Sequence, residues 1–161
     1  MFYKKNKATL DVFSCVDGIT RQLRDVKDTV FSLGAMGNGT VIYPTSNEIF
    51  SPVEGTVEVV YKTNHFVGIR TDNGFEVIIH VGVDTIKMNG EGFKSFVKKD
   101  DVVKVGTKIL EVDFDLVAEK GFPKDVLLIL HGPREKTSII EEIEPGLEVK
   151  HGELVFKAIL N

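Results

Sequence analysis

What this sequence has little of narrows it first. A single cysteine, Cys15, rules out an internal disulfide framework and suits a reducing compartment. There is no basic excess. The net charge is −4, whereas a nucleic-acid partner calls for a positive surface, so no nucleic acid is expected. No apolar run approaches the ~20 residues of a membrane span. The early lysines, Lys4, Lys5 and Lys7, are not followed by the apolar stretch of a signal peptide. These gaps lead us to expect a soluble cytoplasmic protein without membrane insertion and, by default, a monomer, while Met1 and the short tail favour a free subunit over an excised permease domain. Residues 1–10 read as a flexible basic tail and 11–161 as one domain.

Helical periodicity is scarce too. What is present is a series of short apolar segments punctuated by Gly, Pro, Asn and Asp. Examples are Thr40–Tyr43 before Pro44, Gly55–Tyr61 and Val67–Arg70. Strands at this spacing imply an all-β protein, an antiparallel β-sandwich or barrel, with one or two short helical turns. One such turn is expected at Phe114–Lys120, with Asp113 or Asp115 as N-cap and Gly121 as C-cap. Another is expected at Phe93–Val97. The unbroken apolar run within 125–130 is short enough for a buried strand. The chain also repeats itself: Ser14-Cys15-Val16-Asp17-Gly18 matches Ser51-Pro52-Val53-Glu54-Gly55, and Val103–Ile109 matches Val149–Val155. Two similar β units packed face to face would give such matches.

The stretch Thr63–Asp84 reads as a β-hairpin, because Asn73-Gly74 between apolar runs is a strong turn signal. With Asn73-Gly74 as the loop, His80 faces Val67 and His65 is its diagonal neighbour. With Asp72-Asn73 as the loop, His80 faces His65 directly. Both registers put two imidazoles on one face, whereas a three-residue loop would send them to opposite faces. Paired imidazoles suit two chemistries. One is metal binding, with His65, His80 and Asp84 as three zinc ligands. The other is phosphoryl transfer, for which an imidazole with an ordinary pKa of about 6.5 is both a nucleophile and a leaving group near neutrality.

Thr63-Asn64-His65-Phe66, His80-x-Gly82-x-Asp84-Thr85 and Gly90-Glu91-Gly92-Phe93 carry a resemblance to a known family. With Ser51–Thr56, Val103–Gly106, Gly37-Asn38-Gly39 and Pro44, the chain resembles the glucose-family enzyme IIA domain of the bacterial phosphoenolpyruvate-dependent sugar phosphotransferase system. The resemblance covers about residues 11–160. It implies a sandwich with internal duplication, of the duplicated hybrid motif type. It also implies a phosphocarrier in which His80 takes a phosphoryl group from HPr and passes it to a cysteine on the IIB domain of a sugar permease. His65 would support the phosphate, Thr63 would orient His65, and a carbonyl at Gly82 would fix the His80 tautomer with Asp84 close by. Asp28, Val30, Phe31 and Phe66 would meet the partners. No cofactor is required, although zinc could bridge His65 and His80. Departures fall at Ser14-Cys15, Val26-Lys27-Asp28 and Leu130-His131-Gly132-Pro133. Two other readings remain: a non-catalytic regulatory binder of permeases or kinases, and, more remotely, a zinc metallopeptidase of related fold. The second lacks its His-x-His.

Overall fold

Leu127 and Ile129 are buried on one side of their strand, and Val126, Leu128 and Leu130 on the other. That two-sided burial is why an unbroken apolar run forms a strand here. The computed structural model describes residues 7–131 and 136–161. In chain order its strands are β1 (Thr9–Phe13), β2 (Gly18–Gln22), β3 (Gly37–Pro44), β4 (Glu48–Phe50), β5 (Gly55–Val60), β6 (Phe66–Arg70) and β7 (Glu76–Val81). Next come β8 (Phe93–Ser95), β9 (Val102–Val103), β10 (Lys108–Val112), β11 (Val126–His131), β12 (Thr137–Glu142), β13 (Glu148–Val149) and β14 (Leu154–Leu160). Helices are short: α1 (Thr29–Ser32), α2 (Phe114–Glu119) and 3-10 turns at Leu23–Asp25 and Thr85–Met88.

All strand pairs are antiparallel. An eight-stranded sheet runs β13-β2-β3-β11-β7-β6-β5-β9, and two three-stranded sheets run β1-β14-β12 and β4-β10-β8. The large sheet is open at both ends, so the architecture is a sandwich and not a closed barrel. Its inner face presents Ile42, Val67, Ile69, Val77, Ile79, Leu128 and Leu130 to a core shared with Val12, Ile49, Leu110, Phe156 and Ala158 of the small sheets. Its outer face carries a second cluster of Val41, Ile78, Leu127 and Ile129. The 3-10 turn contributes Leu23, and Val26, Phe31 and Met36 pack over the same cluster. On this outer face Arg21, Val41, Leu127, His80 and Phe66 form one row across β2, β3, β11, β7 and β6.

The duplication is visible bond by bond. The Ser14 hydroxyl donates to the Val16 carbonyl at 2.7 Å, and Ser51 donates to Val53 at 2.7 Å. Phe13 N–H donates to the Pro52 carbonyl, and Phe50 N–H to that of Cys15. Gly152 N–H donates to Ser14, and Gly106 N–H to Ser51. Gly18 pairs with Val149, and Gly55 with Val103. A Cβ at Gly18 would strike the Tyr43 carbonyl, and one at Gly55 that of Arg70, so both turns need glycine for close approach.

Three local expectations change. The tail is shorter than residues 1–10: Thr9 and Leu10 already belong to β1, because Ala8, Leu10 and Val12 alternate onto the core. The remainder of the tail, 1–6, and the departure at Gly132-Pro133 lie outside the described residues. Phe93–Val97 is not a helical turn, since Phe93–Ser95 pairs with β10 and buries Phe93. The expected helix forms at Phe114–Glu119. Asp113, not Asp115, caps it, accepting Leu116 N–H at 3.1 Å.

The two serine turns provide the stability test. Ser14→Ala and Ser51→Ala each remove the donor to a buried carbonyl, so each is expected to lower unfolding stability by about 1–2 kcal/mol in urea denaturation. A loss at only one position would show that the two turns are not equivalent.

Candidate functional site

The hairpin takes neither of the two registers expected. Arg70 pairs with Glu76 and Phe66 with His80, which is the register of a three-residue loop, Asp72–Gly74. Thr71 enforces it. Its hydroxyl accepts Phe75 N–H at 3.0 Å and donates to Asn73 Oδ1 at 2.7 Å. Asn73 Nδ2–H in turn donates to the Thr9 carbonyl on β1 at 2.9 Å. This register was expected to part the histidines, yet their ring centroids lie 5.1 Å apart at 82°. The reason is that His65 precedes β6 and so escapes the pleat alternation. Asn64 adopts φ 59° and its N–H donates to the Tyr61 carbonyl at 2.7 Å. Tyr61 N–H donates to Phe66 O at 3.0 Å, and the His65 carbonyl accepts Val81 N–H at 2.8 Å. The turn swings the His65 ring toward His80.

The two imidazoles are held differently. His80 Nδ1 is 2.8 Å from the Gly82 carbonyl. A carbonyl only accepts, so Nδ1 carries the proton and Nε2 keeps its lone pair. Gly82 sits at φ 77°, and a Cβ there would strike Thr85, so glycine is required at the acceptor. Around it, Gly82 N–H donates to the Asp125 carbonyl at 2.8 Å, Val83 N–H to that of Pro123 at 3.2 Å, and the Thr85 hydroxyl to that of Val81. His65 is buried, with Nδ1 2.6 Å from the Thr63 hydroxyl and Tyr61 edge-on at 5.2 Å.

Burial and the neighbouring His65 push the His80 pKa down to about 4, against the Gly82 hydrogen bond and the charges of Asp28 and Asp84. Burial also lowers the His65 pKa. Both rings are therefore neutral at pH 7.

Phe31 lies 4.7 Å and Phe66 6.3 Å from the His80 ring. Asp28 Oδ1 accepts Val30 N–H at 2.8 Å, and its carbonyl accepts Ser32 N–H at 2.9 Å, so Asp28 starts the turn that carries Val30 and Phe31. Asp84 has φ 61° and leads into the 3-10 turn. The residues expected to act together are thus brought together. Sequence reasoning missed Tyr61 and the Thr85 clamp. Tyr61 could have been found from its place two residues before Thr63. The Asp125 and Pro123 carbonyls depend on a long-range strand register that leaves no local signal.

Among the described residues no three of His, Cys, Asp and Glu gather into a group that could hold a metal. The expected zinc triad of His65, His80 and Asp84 is not among such groups: Asp84 acts on His80 through its charge without joining the two imidazoles in a ligand set. The metallopeptidase reading loses its ligand set.

Comparison with known proteins points in the same direction. A family model described as phosphoenolpyruvate-dependent sugar phosphotransferase system, EIIA 1, matches residues 10–135. The chain is 37% identical over 154 residues to the glucose-specific EIIA component of Mycoplasma capricolum, covering 96% of each. It is 38% identical over 118 residues to that of Bacillus cereus, covering 73% of this chain and 70% of the relative. It is 32% identical over 150 residues to the glucose-specific EIICBA component of Staphylococcus saprophyticus, covering 93% of this chain but 22% of that protein. The chain thus spans about a fifth of the length of such multidomain relatives. The solved structure of glucose permease IIA from Mycoplasma capricolum superposes with a TM-score of 0.85 at 34% identity, covering 98% of this chain and 99% of that one.

The electrostatics of the site can be read by NMR. A titration of the imidazole nitrogens should give His80 a midpoint near 4. A midpoint near 6.5 would mean that the ring is not held as described. The folded value lies below the ordinary one of about 6.5, so the unfolded chain takes up this proton first as pH falls. Stability is therefore lost from about pH 6.5 down to about 4. His80→Ala should remove that share of the acid-side slope.

Proposed function

We infer the function from one premise: this chain belongs to the EIIA 1 family of the phosphoenolpyruvate-dependent sugar phosphotransferase system. It is a phosphocarrier that passes a phosphoryl group toward a IIB domain in support of sugar uptake. We propose that His80 is the carrier residue, charged by phospho-HPr and discharged to the IIB cysteine, and that the protein works as a cytoplasmic monomer.

The observation that carries the assignment is the bond from His80 Nδ1–H to the Gly82 carbonyl. It leaves Nε2 as the only nucleophilic nitrogen, and the depressed pKa keeps that nitrogen unprotonated at pH 7. In the charging step the His80 Nε2 lone pair forms the new N–P bond as the bond to the donor histidine breaks. In the discharging step the cysteine thiolate forms an S–P bond, and the N–P electron pair returns to Nε2. The proton on Nδ1 stays throughout, so the ring leaves as neutral imidazole.

Phosphoryl transfer has a loose transition state, so positioning and charge stabilisation do most of the work. With the Thr63 hydroxyl donating to its Nδ1, neutral His65 carries its proton on Nε2, facing the transferred group. There it donates to a phosphoryl oxygen. Phe31, Phe66 and the exposed Val30 supply an apolar surface that excludes water when a partner docks. The carrier chemistry requires no cofactor. A zinc ion spanning His65 and His80 would take its remaining ligands from a docked partner, since tetrahedral zinc needs four.

Incubation with phosphoenolpyruvate, enzyme I and HPr should add one acid-labile phosphoryl group. His80→Ala is expected to abolish the gain, and continued labelling would move the site elsewhere. His65→Ala should still accept phosphate but pass it to a IIB domain about 100- to 1000-fold more slowly, the usual loss for one transition-state donor. Undiminished onward transfer would remove His65 from the mechanism.

A further inference from the structure

The outer face of the large sheet carries a cluster of cations that the carrier chemistry above does not use. Arg21 begins the row that runs through Val41 and Leu127 to His80. Its guanidinium lies 4.4 Å above the Tyr43 ring and 3.5 Å from Asp125 Oδ1. The Lys124 ammonium reaches the same ring at 5.0 Å. Lys27 acts on Asp125 from the loop before α1.

The strand register fixes where this cluster stands. Leu127 pairs with His80, so Asp125, two residues before Leu127 at the entry to β11, is a diagonal neighbour of His80 on the same face. Adjacent strands are ~4.8 Å apart, so the Arg21 backbone is about 14 Å from that of His80. Its guanidinium leans back across β3 toward Asp125, so it lies closer than that. The carboxylates that face His80, Asp28 and Asp84, come from the α1 loop and the turn after β7. Arg21, Lys124 and Lys27 outnumber Asp125 on the flank over β3 and β11, in a chain whose net charge is −4.

We propose that Arg21 and Lys124, held on Tyr43, form a cationic flank that serves the discharge of phospho-His80 to an anionic thiolate acceptor. The inference rests on the carrier reading. The two half-reactions differ in charge. In the charging step a neutral imidazole attacks the phosphoryl group. In the discharging step a thiolate must approach the phosphoryl dianion, and like charges repel. Fixed cations on the same sheet face lower that repulsion in the weakly screened space under a docked partner. The phosphoryl group moves from Nε2 to sulfur with total charge conserved, so no other reactant is needed. Arg21 is half exposed and not part of the core; Asp125 offsets part of its charge, while the ring of Tyr43 holds both cations and neutralises neither.

The test compares the two half-reactions in the double variant Arg21→Gln/Lys124→Gln, with phospho-HPr as donor and an isolated glucose-permease IIB domain as acceptor. Charging should stay within about twofold of wild type. Discharge should slow roughly tenfold at low ionic strength, and the deficit should shrink as salt is raised past a Debye length of about 3 Å, near 1 M. Arg21→Lys/Lys124→Arg, which keeps both charges, should discharge at the wild-type rate. An unchanged discharge rate at low salt overturns the proposal, and so does an equal slowing of both steps. In both cases the phosphorylation of His80 stands. Failure of the wild-type chain to take up phosphate overturns the carrier reading and this inference with it.

Discussion

The hydrogen bond from His80 to the Gly82 carbonyl is the constraint on which the site depends. It joins two residues of one turn, so it is only as firm as that turn. Firmness comes from outside. Backbone carbonyls of Asp125 and Pro123 hold the N–H groups of Gly82 and Val83, and the Thr85 hydroxyl holds the Val81 carbonyl. Strand β11 thus does more than pair with β7. Its entry segment fixes the orientation of an acceptor, and the acceptor fixes a proton. A carbonyl set in this way selects the tautomer before any substrate arrives.

Burial adds the second half of the preparation. An exposed histidine is partly protonated near neutrality and would be a poorer nucleophile. Here desolvation and the adjacent His65 depress the His80 pKa to about 4, and the acidic groups Asp28 and Asp84 do not reverse it. The same packing leaves Val30 half exposed and sets Phe31 in contact with the ring. The surface around the ring is therefore already apolar on the protein side.

Much of this was legible in the residues. Short punctuated apolar runs gave strands, the Ser-x-x-x-Gly repeats gave duplicated turns, and Thr63, His65, His80 and Gly82 met as the motifs implied. Strand parity alone misplaces the histidine pair. It treated His65 as part of a strand, whereas Asn64 at φ 59° lets the ring leave the pleat. It also took the loop as two residues, Asn73-Gly74 or Asp72-Asn73, but the hydroxyl of Thr71 and the tie from Asn73 to Thr9 favour three. Two errors of register cancelled in the outcome. Asp125, Arg21 and Lys124 were illegible for a different reason: nothing local tells a carboxylate just before β11 that it will lie diagonal to a histidine on β7.

The duplication explains why a site arises on this face at all. In each unit a serine turn delivers a strand, β2 in the first and β5 in the second. Beyond that strand the two units diverge. After β5 the chain makes only the tight turn Tyr61–His65 before re-entering the sheet, which places one imidazole. After β2 it runs through Leu23–Met36, long enough to form α1 and lay Phe31 against His80. Corresponding connections of the two units therefore converge on the same outer face. The short one is stiff and suits a group that must be positioned to a fraction of an ångström. The long one buries Leu23 and Val26 and leaves Val30 and Leu33 exposed next to the Phe31 that touches the ring. A symmetric scaffold with one lengthened connection thus brings a tightly positioned imidazole and an exposed apolar surface to the same face.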